Sequence, residues 1–252
     1  MSEALSSESL KFDLCCAARI LFRSGLSAAN AGHLSIALGN GRMLANRFGP
    51  SFATLVPADI LTVTYDGNIV EGEGIVNETI ALHGIIHREN SKAVAVVHTH
   101  GPATVTWSAF RKVPEIFDQE SCILAEDIGI VTEDYEGIAS TEARVLPLAR
   151  KMGEHRAAIL PNHGGVTNAP NIQLATVFMM LLEGACARNI SVAVAAQATG
   201  LKPQPIKLEH ALIAKRELAK IPFLQPLWTD FLKRLRQTDS DLFAGPQHQV
   251  AA

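Results

Sequence analysis

Two short apolar runs constrain the fold of this chain more than any other feature of its sequence. Ala93–His98 is apolar and partly β-branched, and Ala157–Leu160 is apolar throughout. A strand with one solvated face alternates between apolar and polar residues, whereas a strand that is apolar at successive positions must be covered on both faces. We therefore expect a sheet that is buried between two layers.

Helical patterns surround these strands. Further strands are predicted at Ile36–Leu38 and Ile60–Tyr65, and Asp66-Gly67 after the second indicates a hairpin turn. Apolar periodicity, caps and stop residues predict helices at Ser9–Ser24, Asn77–Arg88, Ala103–Phe110 after Pro102, Ser140–Met152, Asn171–Gln197, and from Glu209 onward. Strands and helices do not alternate strictly, so we predict an α/β fold with a mixed sheet between helical layers.

The bulk composition is that of a chain with one large core. The 252 residues are 48% apolar and carry a formal charge of −3. So small a charge gives no electrostatic footprint for nucleic acid or an anionic membrane. We expect a single domain over residues 1–252, with a helical extension from about residue 205 and a frayed tail after about residue 243.

The sequence predicts neither secretion nor membrane insertion. The N-terminus lacks the basic and apolar regions of a signal peptide. Ala175–Ala198 is the most apolar long stretch, but it contains Glu183 and Arg188, which favours a buried helix over a bilayer span. The cysteines form no CxxC pair and are interpreted as reduced thiols: Cys15, Cys16, Cys122 and Cys186. We expect a cytoplasmic protein.

Histidines follow both buried strands. His98 and His100 are two residues apart, so in a strand they face the same side, roughly 6.6 Å apart along it. Two such imidazoles can converge on one ion at about 2.0–2.1 Å each. His163 follows Ala157–Leu160 and precedes two glycines, which let the backbone approach closely or adopt a positive φ. The pattern predicts an open metal site, and solvent-facing histidines at a strand end are the alternative.

The predicted helix after Asn77 carries further candidates. Glu78 lies in the first turn, where the helix dipole favours a carboxylate, and it is a candidate fourth ligand or general acid/base. His83 and His87 are four residues apart and share one helix face. They could form a metal pair, but we interpret them as a face directed at the sheet and a subunit interface.

Taken together, the motifs resemble those of the class II aldolase/adducin family. They extend from about Leu10 to Gln197 and occur in the family order: GHLS at 32–35, DGN at 66–68, NET at 77–79, VVHTHGP at 96–102, EDYEG at 133–137, LPNHG at 160–164 and LLEGAC at 181–186. VVHTH and NHG at this separation are specific in combination. The resemblance implies a three-layer α/β/α sandwich on a central mixed, largely antiparallel sheet.

The resemblance also implies a metal centre and an assembly. His98, His100 and His163 match the family's metal-binding histidines, and Glu78 matches its acidic residue. One divalent ion per subunit is implied, with Zn, Mn, Fe or Co compatible with such ligands. A homotetramer is implied too, commonly with cyclic four-fold symmetry and with sites between neighbouring subunits.

Departures from the sugar-phosphate aldolases indicate the subtype. Those enzymes carry Ser-Gly-Asn-x-Ser where this chain has Ala31–Ser35, and paired serines where it has Val76-Asn77. The missing hydroxyls and amide serve phosphate binding in the family. These segments and Phe117–Ser121 are more similar to the branch that contains decarboxylases of hydroxylated aromatic or heteroaromatic dicarboxylates.

For both subtypes the resemblance implies Lewis-acid catalysis of C–C cleavage, with loss of an aldehyde in an aldolase and of carbon dioxide in a decarboxylase. The ion stabilises the enolate-like charge left when the bond breaks, and a general acid then protonates the carbon. The candidates for that general acid are Glu78, His33 and Tyr135.

Substrate binding is predicted at a second set of residues. Arg47, which is planar and bidentate, and a protonated His33 could hold a carboxylate, and Asn77 and Ser35 are further candidates. A solvated Arg47, and a His33 that only packs under the strand, are the alternatives.

The expected function is therefore a metal-dependent carboxy-lyase of aromatic catabolism that acts on a small carboxylate, with no nucleic-acid or membrane partner. The alternatives are a class II aldolase acting on a non-phosphorylated hydroxyketo substrate, a mononuclear iron oxygenase, and an adducin-like binding module. Loss of catalysis in an adducin-like module would go with loss of the metal histidines, and all three are present here.

Overall fold

A single eight-stranded sheet forms the centre of the molecule. The computed structural model describes residues 7–27, 30–131, 137 and 141–244. The strands are β1 (His33–Gly39), β2 (Arg42–Asn46), β3 (Ile60–Thr64), β4 (Ile69–Glu71), β5 (Ala95–Thr99), β6 (Ile128–Ile130), β7 (Ala157–Leu160) and β8 (Gly164–Ala169). Their order is β4-β3-β2-β1-β5-β8-β7-β6. All neighbours are antiparallel except β6 and β7, which are parallel, so the predicted mixed, largely antiparallel sheet is confirmed.

Helices cover both faces of this sheet. The α-helices are α1 (Ser7–Arg23), α2 (Ala81–Glu89), α3 (Pro102–Ser108), α4 (Glu142–Met152), α5 (Ile172–Thr199), α6 (Leu208–Leu218) and α7 (Leu224–Thr238). Short 3-10 helices lie at Pro57–Asp59, Glu78–Ile80, Glu120–Leu124 and Ser240–Phe243.

The central strand β5 shows why the fold has three layers. Val97 belongs to a core that includes side chains of α1 and α5. Val96, its neighbour in the strand, belongs to a separate core with side chains of α2 and α4. Because successive side chains point to opposite faces, an apolar β5 needs a helical layer on each side. The predicted α/β/α sandwich is confirmed.

Most of the predicted elements are present, and two predicted caps are confirmed. The Asn77 side chain accepts a hydrogen bond from the Thr79 backbone N–H at 2.9 Å, and the Asn171 side chain accepts one from the Leu174 backbone N–H at 2.8 Å. The predicted cap of α4 falls partly on Ser140, which lies outside the described residues.

Helix α5 packs on the sheet through its N-terminal part, from Ile172 to Asn189. Of the helices in the described part of the chain, α5 alone is long and apolar enough to cross a membrane by length and composition. Its buried residues run from Ile172 to Asn189, and they include Phe178, Met179 and Leu182 of the core shared with β5 and α1. The apolar composition of that part is thereby accounted for by core packing.

The predicted C-terminal helical extension packs against α1. Trp228 and Leu235 of α7 are buried in the same core as α1. The buried guanidinium of Arg19 in α1 donates to the carboxylates of Asp239 at 3.0 Å and Asp241 at 2.7 Å, just beyond α7. These ion pairs connect the segment that follows α7 to α1. The tail predicted to fray lies mostly outside the described residues.

Helix α2 approaches the end of β3 through a glycine. A Cβ atom added at Gly84 would overlap the backbone carbonyl of Tyr65, whereas one added at Gly184 in α5 would meet no described atom within 4 Å. Neither glycine has a positive φ. The two positions therefore differ in steric space and not in backbone conformation.

We expect Gly84→Ala to lower the free energy of unfolding by about 2 kcal/mol or more, because backbone must move to admit the methyl group. Gly184→Ala is the matched control and should raise it by about 0.4–1 kcal/mol through reduced chain entropy. Urea unfolding of both variants measures the difference. Equal stabilities would contradict the close approach of α2.

Candidate metal centre

Three histidines converge where β5 ends and β7 turns into β8. His98 lies in β5 and His100 just beyond it, while His163 lies in the tight turn after β7. The register places His98 opposite Val166 in β8, which carries the turn beside the end of β5. His163 is thereby brought to the two histidines that precede it in the sequence by more than sixty positions.

Backbone conformation in the turn and at the start of β8 makes this approach possible. Asn162 has a φ of +52° in the turn. A Cβ atom on Gly164 would overlap the Thr99 carbonyl. Only a glycine fits at position 164, so the predicted close approach of the backbone after His163 is confirmed, and the segment it approaches is the end of β5. The positive φ, however, belongs to Asn162 and not to the two glycines.

The spacing of the three rings suits a single small ion. One ligand atom from each histidine lies within 4.8 Å of the other two, and Nε2 of His98 is 3.1 Å from Nε2 of His100. Nitrogen ligands at 2.0–2.1 Å in tetrahedral geometry would be separated by about 3.3 Å. His98 Nδ1 donates to the Gly165 carbonyl at 2.9 Å, which leaves Nε2 as the ligating nitrogen.

Burial keeps these imidazoles in the ligating, neutral state. Desolvation lowers the pKa of His98 well below 6.5, and the neighbouring histidines His33, His163 and His100 lower it further. Burial also lowers the pKa of His100, and it lowers the pKa of His163 to about 4, with a smaller contribution from His100. Since a metal ion binds neutral imidazole, the three residues fit a divalent ion.

A carboxylate from α5 holds the segment after His100 in place. Glu183 accepts hydrogen bonds from the backbone N–H groups of Ala103 at 2.7 Å and Thr104 at 2.9 Å, and from the Thr104 hydroxyl at 2.7 Å. The first turn of α3 is thus capped by another helix. In the sequence, Glu183 was visible only as one of two charged residues in the apolar stretch Ala175–Ala198, and that charge was the available signal for this contact.

A cavity of about 650 Å³ opens over the three histidines. Its described lining residues are Asn30, Ala31, Gly32, His33, Phe48, Asn77, Thr79, His98, His100, Val105, Asn162 and His163. Two of the predicted non-ligand residues, His33 and Asn77, are therefore brought to the site. Phe48 and Val105 add apolar surface, and none of the described lining residues is a lysine or arginine.

Other predicted site residues lie away from this lining. Arg47 donates to the Asp59 carboxylate at 2.7 Å and is not among the described lining residues. Glu78 is exposed at the start of its 3-10 helix and is not part of the cluster of possible ligands. Their proposed roles stay predictions. Tyr135 lies outside the described residues.

His33 forms part of the cavity wall, and both of its ring nitrogens contact neighbouring side chains. Its Nε2 is 2.7 Å from the Thr79 hydroxyl and its Nδ1 is 2.7 Å from Nε2 of His83. Burial, with smaller contributions from neighbouring histidines, lowers the pKa of His33 well below 6.5 and so favours the neutral ring. Ser35 contacts His83 and His87 instead of the cavity. The prediction that His83 and His87 face the sheet is thus confirmed, whereas no subunit interface is tested.

The residues and their arrangement define a protein family. A model of the class II aldolase and adducin N-terminal domain matches residues 12–190. The chain belongs to this family, as the motifs predict.

Several proteins with a similar sequence are named as decarboxylases. Decarboxylase NovR from Streptomyces niveus is 33% identical over 177 residues, covering 69% of this chain and 63% of that protein. A 4-hydroxy-3-prenylphenylpyruvate oxygenase/4-hydroxy-3-prenylbenzoate synthase from Streptomyces roseochromogenus subsp. oscitans is 32% identical, covering 69% and 61%. A 3-oxo-tetronate 4-phosphate decarboxylase from Escherichia coli O6:H1 is 28% identical, covering 70% and 84%. The chain spans less than two thirds of the length of the first two.

Solved structures share the fold. L-fuculose 1-phosphate aldolase from Glaciozyma antarctica PI12 superposes with a TM-score of 0.81 at 22% identity, covering 97% of both chains. An aldolase II superfamily protein from Pseudomonas syringae superposes with a TM-score of 0.83 at 24% identity, covering 95% and 96%.

We expect His98→Ala, His100→Ala and His163→Ala each to lose the bound divalent ion, because three nitrogen ligands leave no redundancy. His210→Ala, an exposed histidine outside the cluster, is the control and should keep it. Metal analysis and calorimetric titration with Zn²⁺ measure both. A cluster variant that retains one ion per chain would remove that residue from the ligand set.

The affinity for Zn²⁺ should also depend on pH. Protons compete with the ion for the imidazole nitrogens only as the pH falls through the lowered histidine pKa values, of which that of His163 is about 4. Calorimetric titration should therefore show that the Zn²⁺ affinity persists at pH 6 and falls towards pH 4.

Proposed function

We propose that this protein is a divalent-metal-dependent carbon–carbon lyase that decarboxylates a hydroxylated aromatic or heteroaromatic carboxylate or dicarboxylate. The observation that carries the proposal is the cluster of neutral imidazoles His98, His100 and His163 facing a cavity that also contains His33. A bound ion would supply Lewis-acid stabilisation of negative charge on the substrate oxygens. Zn, Mn, Fe and Co all suit this ligand set.

The cavity lining supports an aromatic substrate over a sugar phosphate. Phe48 and Val105 offer apolar contacts to a planar ring. The hydroxyls and the amide that bind phosphate in sugar-phosphate aldolases are replaced within Ala31–Ser35 and Val76-Asn77, and the described lining contains no lysine or arginine in their place. The name of the Escherichia coli relative shows that a phosphorylated substrate occurs within the family. Because family membership alone therefore does not decide whether the substrate is phosphorylated, we base the proposal on the cavity lining.

His33 and Asn77 are the residues we assign to the substrate. Decarboxylation leaves the electron pair of the broken C–C bond on the ring carbon, which must then take up a proton. Among the described lining residues, His33 is the one titratable group that is not a proposed ligand, and its ring centroid lies 4.8 Å from that of His98. Because its ring is neutral, we assign it first as the base that takes the proton of a substrate hydroxyl and then as the acid that returns this proton to the ring carbon. The amide of Asn77 lines the same cavity.

Oxygenase chemistry is the second candidate. The Streptomyces roseochromogenus relative is named an oxygenase, and a three-histidine cluster can also hold iron. Oxygen uptake by the iron-loaded protein, compared with carbon dioxide release under anaerobic conditions, distinguishes the two reactions.

We expect the ion-loaded protein to release carbon dioxide anaerobically from hydroxylated benzene or pyridine dicarboxylates. His33→Asn should lower kcat by about 100-fold or more, the usual contribution of a general acid or base, while keeping the ion. His210→Asn is the matched control and should have the wild-type rate. A near-normal rate in His33→Asn would exclude the role given to His33. Efficient cleavage of a sugar phosphate to dihydroxyacetone phosphate would overturn the subtype.

We also propose a homotetramer with sites between subunits. Support comes from the family and from apolar surface beside the cavity: Phe48 and Ile75 pair through an isolated β-bridge, and they are 48% and 69% exposed. Light scattering should give four times the chain mass of 27.0 kDa, and Ile75→Glu should lower it. A stable and fully active monomer would contradict this assembly.

A further inference from the structure

A continuous row of hydrogen-bonded side chains runs from the cavity into the interior between β1 and α2. In order, its members are Thr79, His33, His83, Ser35 and His87, and it ends at the backbone carbonyl of Ala93. The successive contacts are 2.7, 2.7, 2.7, 2.8 and 2.5 Å. The four inner members are at most 6% exposed. Two of the motifs noted in the sequence, GHLS and the pair His83 and His87, supply most of this row.

The Ala93 carbonyl sets the direction of every hydrogen bond in the row. A carbonyl oxygen can only accept, so the hydrogen of His87 must be on Nδ1. In a neutral ring Nε2 then accepts, and the Ser35 hydroxyl donates to it. The oxygen of Ser35 in turn accepts from Nδ1 of His83. The opposite direction would place a bare nitrogen of His87 against the carbonyl, a buried and unpaired contact.

The same rule carries the direction to the cavity. With its hydrogen on Nδ1, His83 presents a bare Nε2, to which His33 must donate from its own Nδ1. Nε2 of His33 is therefore unprotonated where it faces Thr79. The Thr79 hydroxyl has one hydrogen and two acceptors within 2.7 Å, which are His33 Nε2 and the Asn77 side-chain oxygen.

We propose that His83, Ser35 and His87 are positioning residues that fix the tautomer of His33, so that its Nε2 faces the cavity as a hydrogen-bond acceptor. A ligand hydroxyl can then donate to this nitrogen by displacing the Thr79 hydroxyl from it, and Thr79 keeps its hydrogen bond to Asn77. This selects ligands that present a hydroxyl to His33 beside the ion site, in keeping with a hydroxylated substrate. The selection of a hydroxylated substrate rests on the proposed function, whereas the tautomer of His33 does not.

Nitrogen NMR of the Zn²⁺-loaded protein labelled with ¹⁵N-histidine tests the tautomer directly. Long-range proton–nitrogen correlations distinguish protonated from bare ring nitrogens, and single His→Gln variants assign the signals. We expect Nδ1 to be protonated and Nε2 bare in His33, His83 and His87. Protonation of Nε2 in wild-type His33 would overturn the proposal. No substrate is needed, so this result is independent of whether the protein is a decarboxylase.

Ser35→Ala tests whether the row transmits this preference. Removing the hydroxyl breaks the link between His83 and His87, which is the member bonded to the Ala93 carbonyl. His83 and His33 should therefore lose the single tautomer, while His87 keeps it and Zn²⁺ stays bound. Ser108→Ala is the matched control, because Ser108 is also buried and its hydroxyl bonds only to the Val105 carbonyl among the described residues. An unchanged His33 tautomer in Ser35→Ala would refute the transmission. If that variant does not fold, the wild-type spectrum still decides the tautomer.

Discussion

The burial of β5 on both faces is the constraint on which the rest of the structure depends. Val96 and Val97 pack into two different cores, so the strand is held from both sides by helices. Such a strand has little freedom to shift, and its end is a rigid platform. His98 lies on that platform, and the antiparallel partner β8 brings His163 to it. The site is therefore attached to a strand that is packed on both faces.

The same burial determines the chemistry of the histidines. Removal from water disfavours imidazolium, so His98, His33 and His83 are held neutral in the interior. Neutral imidazoles can ligate a metal ion or accept a hydrogen bond, and which of these a ring does depends on what its other nitrogen contacts. For His98 that contact is the Gly165 carbonyl, and for His33 it is His83. One sheet thus supports two kinds of histidine side by side.

Membership of the class II aldolase and adducin family establishes the scaffold but does not by itself identify the substrate. The family includes relatives named as decarboxylases and as aldolases, so the fold alone does not select a reaction. In this chain the described cavity lining combines apolar Phe48 and Val105 with His33 and contains no lysine or arginine. These features are the basis on which we propose a hydroxylated ring, and not a sugar phosphate, as the substrate.

The sequence by itself determined the two-sided burial of β5, most helices and the three clustered histidines, because these depend on local periodicity and on residue types next to strand ends. It did not reveal β8, whose Gly164 and Asn168 resemble a loop and which becomes a strand only between β5 and β7. Nor did it place Ser35, a predicted substrate-binding residue whose hydroxyl the tertiary structure directs at His83 and His87 and not into the described cavity. Hydrogen-bond partners more than forty residues apart leave no local pattern, so only the packing of α2 on β1 decided them.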